Sequence, residues 1–175
     1  MKRITRANVT DRAGNKYCGP LVLAALLGTS TAEAAGIVRG QSGRRAIRGM
    51  YHPELITALR ANGYDVVEEA IELRYRAHHS FGGGQWYTNE QDPDMPPGHR
   101  GAPFTPVKRV GPTFAEWLRS RQVPSATHIV VVSNHYVLVQ GRKMVDTHTH
   151  GVWTFIRSAP HRRKRVEKVF RIIKL

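Results

Sequence analysis

The sequence predicts an α+β fold, in which helices near the N-terminus pack on an antiparallel β-sheet formed later in the chain. Residues 17–27 are almost wholly apolar and are followed by Gly28, a pattern typical of a buried helix that ends at a glycine. Residues 127–149 contain β-branched runs separated by short breaks, which is typical of paired strands. Because the helical patterns come first and the strand patterns second, the order indicates an α+β arrangement.

Two more helices are predicted before the sheet. Residues 29–31 offer N-caps for a short helix over residues 31–40, with Glu33 in its first turn, where the helix dipole favours an acid. Residues 52–68 have the spacing of a helix followed by a strand, and the helix is expected to stop at Asn62-Gly63. This part of the chain therefore reads as helix, helix, turn and strand.

The middle of the chain is predicted to be an irregular loop. Residues 80–112 include six glycines and six prolines, which excludes a regular element across most of the segment. We treat it as an insertion at about residues 80–112 within a single domain of residues 1–175. Residues 113–121 then have the spacing of a helix. Strand patterns follow at residues 127–132, 135–141, 143–149, 152–157 and 166–175.

The chain is strongly basic, with 27 lysines and arginines against 13 acidic residues and a formal net charge of +14. The C-terminal segment, residues 161–175, carries seven of these basic side chains and one acidic side chain, with apolar residues between them. Two interpretations stay open. The segment is either the solvated face of a terminal strand or helix, or a surface that binds nucleic acid without sequence preference.

The distribution of apolar residues argues against a membrane protein. No stretch approaches the roughly 20 consecutive apolar residues that span a bilayer, and the longest such run, residues 21–27, has the length of a core helix. The basic N-terminus has no apolar segment behind it of the kind that secretion signals contain. We therefore expect no membrane partner and an intracellular location.

Cys18 is the only cysteine and lies at the predicted start of the apolar helix. A lone cysteine cannot form an intrachain disulfide, so it is either a small buried residue or a reactive thiol. The positive end of a helix dipole favours a thiolate. Gly19 permits a close approach by a substrate, and Pro20 is tolerated because a first-turn residue has no helical hydrogen bond to donate. These surroundings favour a reactive thiol.

A reactive cysteine needs a base within hydrogen-bond reach and a group that orients the base. His135 opens one predicted strand, and Asp146 lies on the next one. If Gly141-Arg142 is a two-residue turn, Asp146 becomes the diagonal neighbour of His135 on the same sheet face, and His148 lies directly opposite His135. A histidine and an aspartate placed there can face the start of a helix that packs on the sheet.

Three segments carry a resemblance to a known family. They are NKYCGPLVLAALLG at residues 15–28, HPELITALRANGYDV at residues 52–66 and NHYVLVQGRKMVDTHTHG at residues 134–151. The chain resembles the bacteriocin-processing peptidase family of the papain-like superfamily, and it is similar to small cysteine-peptidase-like proteins of phages and prophages. The resemblance covers roughly residues 15–65 and 112–150. It implies a papain-like fold and a location in the cytoplasm of a host cell or in a virion.

The same resemblance implies roles for individual residues. Cys18 would be the nucleophile, His135 the general base and acid, and Asp146 the residue that orients His135. Members of the family usually place a glutamine about six residues before the cysteine to hold the oxyanion, and here that position is Arg12. Asn15 is the nearby neutral amide that can donate a hydrogen bond in its place.

Candidate substrate contacts are Gly19, Trp86 and Asn134. His148 and His150 alternate on a predicted strand and can share a face, but there is no CxxC or HExxH pattern, so no metal site is predicted.

Two function classes remain open. The first is a cysteine peptidase, or a related thiol amidase or acyl-transfer enzyme, that acts on a peptide or protein without a cofactor. The second is a catalytically inactive papain-like protein whose basic surface binds nucleic acid or a protein partner. The residues Cys18, His135 and Asp146 favour the enzyme. The missing glutamine and the charge of +14 favour the binding protein.

Overall fold

Four α-helices and nine β-strands form in the part of the chain that the computed structural model describes, so the fold belongs to the predicted α+β class. The described residues are 17–47, 49–77, 86–87, 107–121 and 125–175, with the backbone alone for 74–77, 86–87 and 107–109. The helices are α1 (Cys18–Leu27), α2 (Thr31–Ser42), α3 (His52–Ala61) and α4 (Phe114–Ser120). Among the described helices, none is long and apolar enough to cross a membrane.

The strands form two antiparallel sheets. The strands are β1 (Tyr64–Glu69), β2 (Arg74–Ala77), β3 (Trp86–Tyr87), β4 (Val107–Val110), β5 (Thr127–Val132), β6 (Tyr136–Gln140), β7 (Lys143–Val145), β8 (Thr154–Phe155) and β9 (Val166–Lys174). The larger sheet has six strands in the order β1-β9-β5-β6-β7-β8, and the smaller one has the order β2-β4-β3. The last strand of the chain, β9, therefore lies inside the larger sheet, between β1 and β5.

Both faces of the larger sheet are covered. Helices α1, α2 and α3 pack on one face, where Leu21 and Leu55 join Leu138 and Phe170 in one apolar cluster. Helix α4 covers the other face, where Phe114 and Trp117 pack with alternate residues of the same strands. Burial on both faces explains why β5 is an uninterrupted run of buried residues. The prediction of N-terminal helices on a sheet is confirmed, and α4 adds a layer on the opposite side.

The predicted end of α1 and start of α2 are confirmed, whereas α2 continues to Ser42, two residues beyond the predicted residues 31–40. Gly28 adopts a left-handed conformation with φ of 72° and donates its N–H to the Ala24 carbonyl at 2.8 Å, which is the expected C-cap of α1. Ser30 is the N-cap of α2, and its hydroxyl and the Glu33 carboxylate satisfy each other's backbone N–H groups. These local contacts fix where α1 stops and where α2 starts.

The predicted loop at residues 80–112 contains two short strands, β3 and β4, which pair with each other in the smaller sheet. Residues 80–85 and 88–106 of this segment lie outside the described residues. Gly111 follows β4 at a close approach to β9, where a Cβ would collide with the Val166 carbonyl oxygen. A glycine is needed there because no side chain fits against that backbone.

Candidate active site

A tight turn presents His135 at the start of β6. Ser133 and Asn134 both have positive φ, 52° and 59°, and connect β5 to β6 as a two-residue hairpin loop. Val132 and His135 exchange both backbone hydrogen bonds, at 2.8 Å and 3.2 Å, and close the turn. Asparagine tolerates the left-handed conformation better than most residues, so the sequence itself specifies this turn. His135 is consequently held at the end of the hairpin and not along its length.

Asp146 directly follows β7 and is fully buried. Its Oδ1 accepts the backbone N–H of Thr149 at 2.8 Å, and the Thr149 hydroxyl donates to the Asp146 carbonyl at 3.0 Å. The predicted two-residue turn at Gly141-Arg142 is confirmed by the pairing of Gln140 with Lys143. The carboxylate is therefore rigid, and its second oxygen, Oδ2, points to the histidines.

His135 lies between Asp146 and Cys18. Its Nε2 is 3.1 Å from Asp146 Oδ2. Burial by itself lowers the pKa of His135, but hydrogen bonds with Asp146 and with Cys18 outweigh burial and raise that pKa to about 9. Because Nε2 engages the carboxylate, the other ring nitrogen, Nδ1, is the one that can serve the thiol. The structure thus brings together the three residues that the sequence predicted as a site.

Cys18 is the first residue of α1 and is 8% exposed. The first N–H groups of a helix have no acceptor within the helix, and they carry the positive end of its dipole. The neighbourhood of the thiol also reaches Tyr136. Burial raises the pKa of Tyr136, and the negative charge of Cys18 raises it further. A deprotonated Cys18 would therefore lie in a partly positive environment, beside a protonated His135.

His161 is a site residue that the sequence did not predict. Its Nε2 lies 3.0 Å from Asp146 Oδ2, the same oxygen that His135 contacts, and the residue is only 9% exposed. Burial raises the pKa of Asp146, but hydrogen bonds from His135 and His161 and from the Thr149 backbone outweigh it and hold that pKa well below its usual range. Asp146 is consequently a fixed anion shared by two imidazoles.

The position of His161 depends on helix α4. The loop that contains His161 offers its carbonyl groups to the first turn of that helix, where Phe114 donates to Lys164 at 2.8 Å and Ala115 donates to Arg162 at 3.0 Å. The sequence does not indicate this contact with α4. His161 is followed by arginines and lysines, a pattern that is typical of an exposed segment. Neither of the two interpretations that the sequence left open for residues 161–175 describes His161, which is buried in the site.

His148 completes a group of three histidines with His135 and His161. The ring centroids are 5.0 Å apart for His135 and His148, 4.9 Å for His135 and His161, and 4.5 Å for His148 and His161. One nitrogen of each ring lies within 4.8 Å of one nitrogen of the other two, a spacing that could hold a metal ion. The predicted strand over residues 143–149 is too long, because β7 ends at Val145 and residues 147–151 form a turn. His148 therefore lies beside His135 because of this turn and not because the two residues are paired across strands.

A groove of about 390 Å³ lies beside the site. Its walls include Met50, which contacts Gly19, and Asn134 and Tyr136, which flank His135 in the chain. The Tyr136 hydroxyl donates to the Met50 carbonyl at 3.1 Å and lies 2.6 Å from His52 Nδ1. These contacts fix the groove wall, and the groove is large enough for a side chain or a short stretch of peptide.

The other predicted site residues have different outcomes. Asn134 lies on the hairpin turn and lines the groove, as a substrate contact would require. Gly19 is buried, and a Cβ at this position would lie 2.7 Å from Met50 Cβ, so the space that we assigned to a substrate is filled by Met50. Trp86 pairs with Lys108 through its backbone, but its side chain lies outside the described part of the chain. Asn15 lies outside it entirely.

The basic C-terminal segment is structural as well as charged. Four residues of β9 are buried in the two apolar clusters, Val166 and Val169 on the α4 side and Phe170 and Ile172 on the other. Lys168 and Arg171 of the same strand lie 2.7 Å from Glu68 and 3.3 Å from Glu69, both on β1. Some of the positive charge is therefore balanced locally, while residues 162–164 remain exposed.

Comparisons of the chain with protein-family models, with curated proteins and with solved structures returned no match.

Proposed function

We propose that the protein is a papain-like thiol hydrolase or acyl-transfer enzyme, in which Cys18 is the nucleophile, His135 the general base and acid, and Asp146 the positioning residue. The observation that carries this proposal is the position of His135, whose Nε2 lies 3.1 Å from the buried Asp146 Oδ2 and whose pKa is raised by hydrogen bonds with both Asp146 and Cys18. A buried structural cysteine has no need of an oriented imidazole beside it. A nucleophile does, because the base must receive and return a proton in each cycle.

The proposed reaction runs through a thioester. His135 takes the proton of the Cys18 thiol, and the sulfur attacks the carbonyl carbon of a peptide or related amide. The C–N bond breaks as His135 returns the proton to the leaving amine. A water molecule then attacks the thioester, giving its proton to His135, and the acid product and free thiol are released. With an amine in place of water, the same steps transfer the acyl group.

The oxyanion formed in these steps needs hydrogen-bond donors. The backbone N–H groups at the start of α1 suit this role because they have no acceptor within the helix. Pro20, the third residue of α1, has no N–H and leaves the donors at the first two positions. Asn15 stays our candidate for the additional side-chain donor that the family resemblance implies.

The groove beside the site supports a peptide substrate. It is lined by Asn134 and Tyr136, the chain neighbours of His135, and by Met50, which packs on Gly19, the chain neighbour of Cys18. Arg44 lines the groove but forms an ion pair with Glu54 at 2.8 Å, which weakens its electrostatic attraction for an acidic side chain of a substrate. We therefore propose a peptide or protein substrate bound mainly through its backbone and apolar side chains.

The test is alkylation of the thiol with iodoacetamide, read by intact mass. Because Cys18 is the only cysteine, one adduct reports one site. We expect wild-type protein to react at pH 7 at least about tenfold faster than His135→Ala, since a neighbouring positive charge favours the thiolate by that order. Unfolded wild-type protein supplies the baseline. Equal rates in the folded wild-type protein and in His135→Ala would contradict the proposal.

Activity itself is tested with a thioester-forming reagent such as a p-nitrophenyl ester. Wild-type protein should release p-nitrophenol in a burst and accumulate an acyl adduct on Cys18, whereas Cys18→Ser should show neither at a comparable rate. An adduct on a lysine, or none, would count against thiol acyl transfer.

A binding role is the second candidate, and the exposure of residues 162–164 favours it. These residues are Arg, Arg and Lys, they precede β9, and the whole chain has a net charge of +14. In that case the thiol site would be a relic of the fold and the protein would bind nucleic acid or an acidic partner. Slow alkylation combined with salt-sensitive binding to nucleic acid would select this function over the enzyme.

A further inference from the structure

We propose that His135, His148 and His161 form a binding site for a transition-metal ion such as Zn²⁺, and that the bound ion withdraws His135 from Cys18. The two parts differ in what they require. The metal site stands whether or not the thiol is catalytic, whereas its inhibitory consequence rests on the proposed function.

The spacing of the three rings is the first support. One nitrogen of each ring lies within 4.8 Å of its counterparts. Imidazole nitrogens bind Zn²⁺ at about 2.0–2.1 Å, so donors around a tetrahedral ion are about 3.4 Å apart. The rings must therefore close by little more than 1 Å. His148 is exposed and lies on the turn after Asp146, so it is the ring best able to make that movement.

Asp146 supplies the second support. A histidine that binds a metal through one nitrogen commonly donates its other N–H to a carboxylate, which fixes the ring and its tautomer. Here the same oxygen, Asp146 Oδ2, lies 3.1 Å from His135 Nε2 and 3.0 Å from His161 Nε2. If Nε2 of each neutral ring is protonated and donates a hydrogen bond to Asp146, the lone pair that can bind a metal is on Nδ1 of that ring. One buried carboxylate thus fixes two of the three rings, and Nδ1 of each is the proposed ligand atom.

The consequence for the thiol follows from the geometry of His135. The ring has two nitrogens, and Asp146 takes one of them. The remaining nitrogen can accept the Cys18 proton or bind the metal, but it cannot do both. A bound ion would therefore remove the base from the thiol. It would also leave room for Cys18 sulfur, water or substrate as a fourth ligand, since zinc accepts four donors.

The binding test uses full-length protein without a histidine tag, freed of metal by a chelator and titrated with Zn²⁺ by calorimetry. We expect one equivalent to bind to wild-type protein, and we expect His148→Asn to weaken the affinity by about tenfold or more, because it removes one of three ligands. His150→Asn is the matched control. It lies two residues away on the same exposed turn, and asparagine accepts its positive φ of 50°.

Because His148 is exposed, we expect His148→Asn to fold normally. Thermal unfolding of each variant checks that it is folded. Unchanged affinity in His148→Asn, an equal loss in His150→Asn, or no stoichiometric binding by the folded wild-type protein would overturn the site. Co²⁺ provides a second readout, because its visible absorption reports the number of ligands, and a sulfur-to-metal charge-transfer band would identify Cys18 as the fourth.

The inhibitory consequence has its own test. Zn²⁺ should slow alkylation of Cys18 in wild-type protein and in His150→Asn at concentrations that leave His148→Asn unaffected. Binding without protection of the thiol would overturn the inhibition and leave the metal site intact. If the protein forms no acyl adduct in any condition, the proposed function fails, while the calorimetric result still decides the metal site.

Discussion

Two buried histidines on neighbouring parts of the same sheet have opposite properties. His128 on β5 is 1% exposed, packs edge-on against Trp117, and has its Nε2 3.5 Å from a partly exposed Glu69. Burial lowers the pKa of His128. His135 is 8% exposed, but its partner is the fully buried Asp146, and its pKa rises to about 9.

The difference shows what burial alone does to a histidine. Desolvation lowers the pKa of both rings, since it disfavours the charged form. The two diverge because Asp146 is fixed by Thr149, oriented at His135 and shielded from water, whereas the Glu69 carboxylate is solvated and more distant from His128. A buried histidine therefore points to chemistry only when a fixed acceptor and a reactive group lie on its two sides.

The largest expected effect separates the two histidines by activity. His135→Ala should lower the rate of acyl transfer by about 10²–10⁴-fold, the usual contribution of a general base, and Cys18→Ala should abolish it. His128→Ala should keep the rate per folded molecule near wild type, because His128 faces α4 on the opposite side of the sheet. Burst kinetics with an activated ester measure all three. Comparable losses in His128→Ala and His135→Ala would break the distinction.

The second effect separates the two carboxylates by stability. Asp146→Ala should reduce the free energy of unfolding by about 3–5 kcal/mol, because it leaves two buried imidazoles without their acceptor. Glu69→Gln should change it by about 0–1 kcal/mol, as expected of a partly exposed ion pair. Urea unfolding at pH 7 measures both. Asp146→Asn, which keeps the shape but not the charge, should fall between them.

The third effect is a difference in pH dependence. The folded-state pKa of His135, about 9, lies above the ordinary 6.5, so its stabilising contribution is full below pH 6.5 and is lost as pH rises through about 9. The pKa of His128 is lowered from 6.5, so its contribution is present above pH 6.5 and is lost as pH falls.

Urea unfolding of His135→Gln and His128→Gln beside wild type, across pH 5–10 with a chelator present, measures these contributions. The stability gap for His135→Gln should narrow toward high pH, and the gap for His128→Gln should narrow toward low pH. Parallel curves for the two variants would show that their environments do not differ as described.

The smallest expected effect concerns the basic segment beside His161. If residues 162–164 contact phosphates, replacing all three with glutamine should weaken binding to DNA of any sequence and reduce the slope of log affinity against log salt by about 2–3. Fluorescence anisotropy over a salt series measures this slope. Replacing Lys168 and Arg171, which pair with acids of β1, should change it less. Salt-independent binding, or none, would assign the segment to a solvated face.

The sequence by itself determined the local features of the protein, because their signals lie within a few residues. Gly28 ends α1, Ser30 and Glu33 start α2, and Asn134 supplies the tight turn that presents His135. Helical and alternating patterns were enough for the α+β class, and the register across Gly141-Arg142 placed Asp146 near His135. The proximity of Cys18 to this pair was an expectation from the strand register and the family resemblance, and it depends on how α1 packs on the sheet.

Only the tertiary structure decided which distant residues join the site. His161 reaches Asp146 because carbonyl groups of its loop accept hydrogen bonds from the N–H groups of the first turn of α4. This contact joins segments about fifty residues apart and leaves no local pattern in the sequence. Gly19 has a neighbour, Met50, that no spacing rule predicts. Local hydrogen bonds and the spacing of hydrophobic residues can be predicted from the sequence. The contact between two irregular loops depends on how the whole core packs. The cluster of three histidines could therefore be found only in the folded structure.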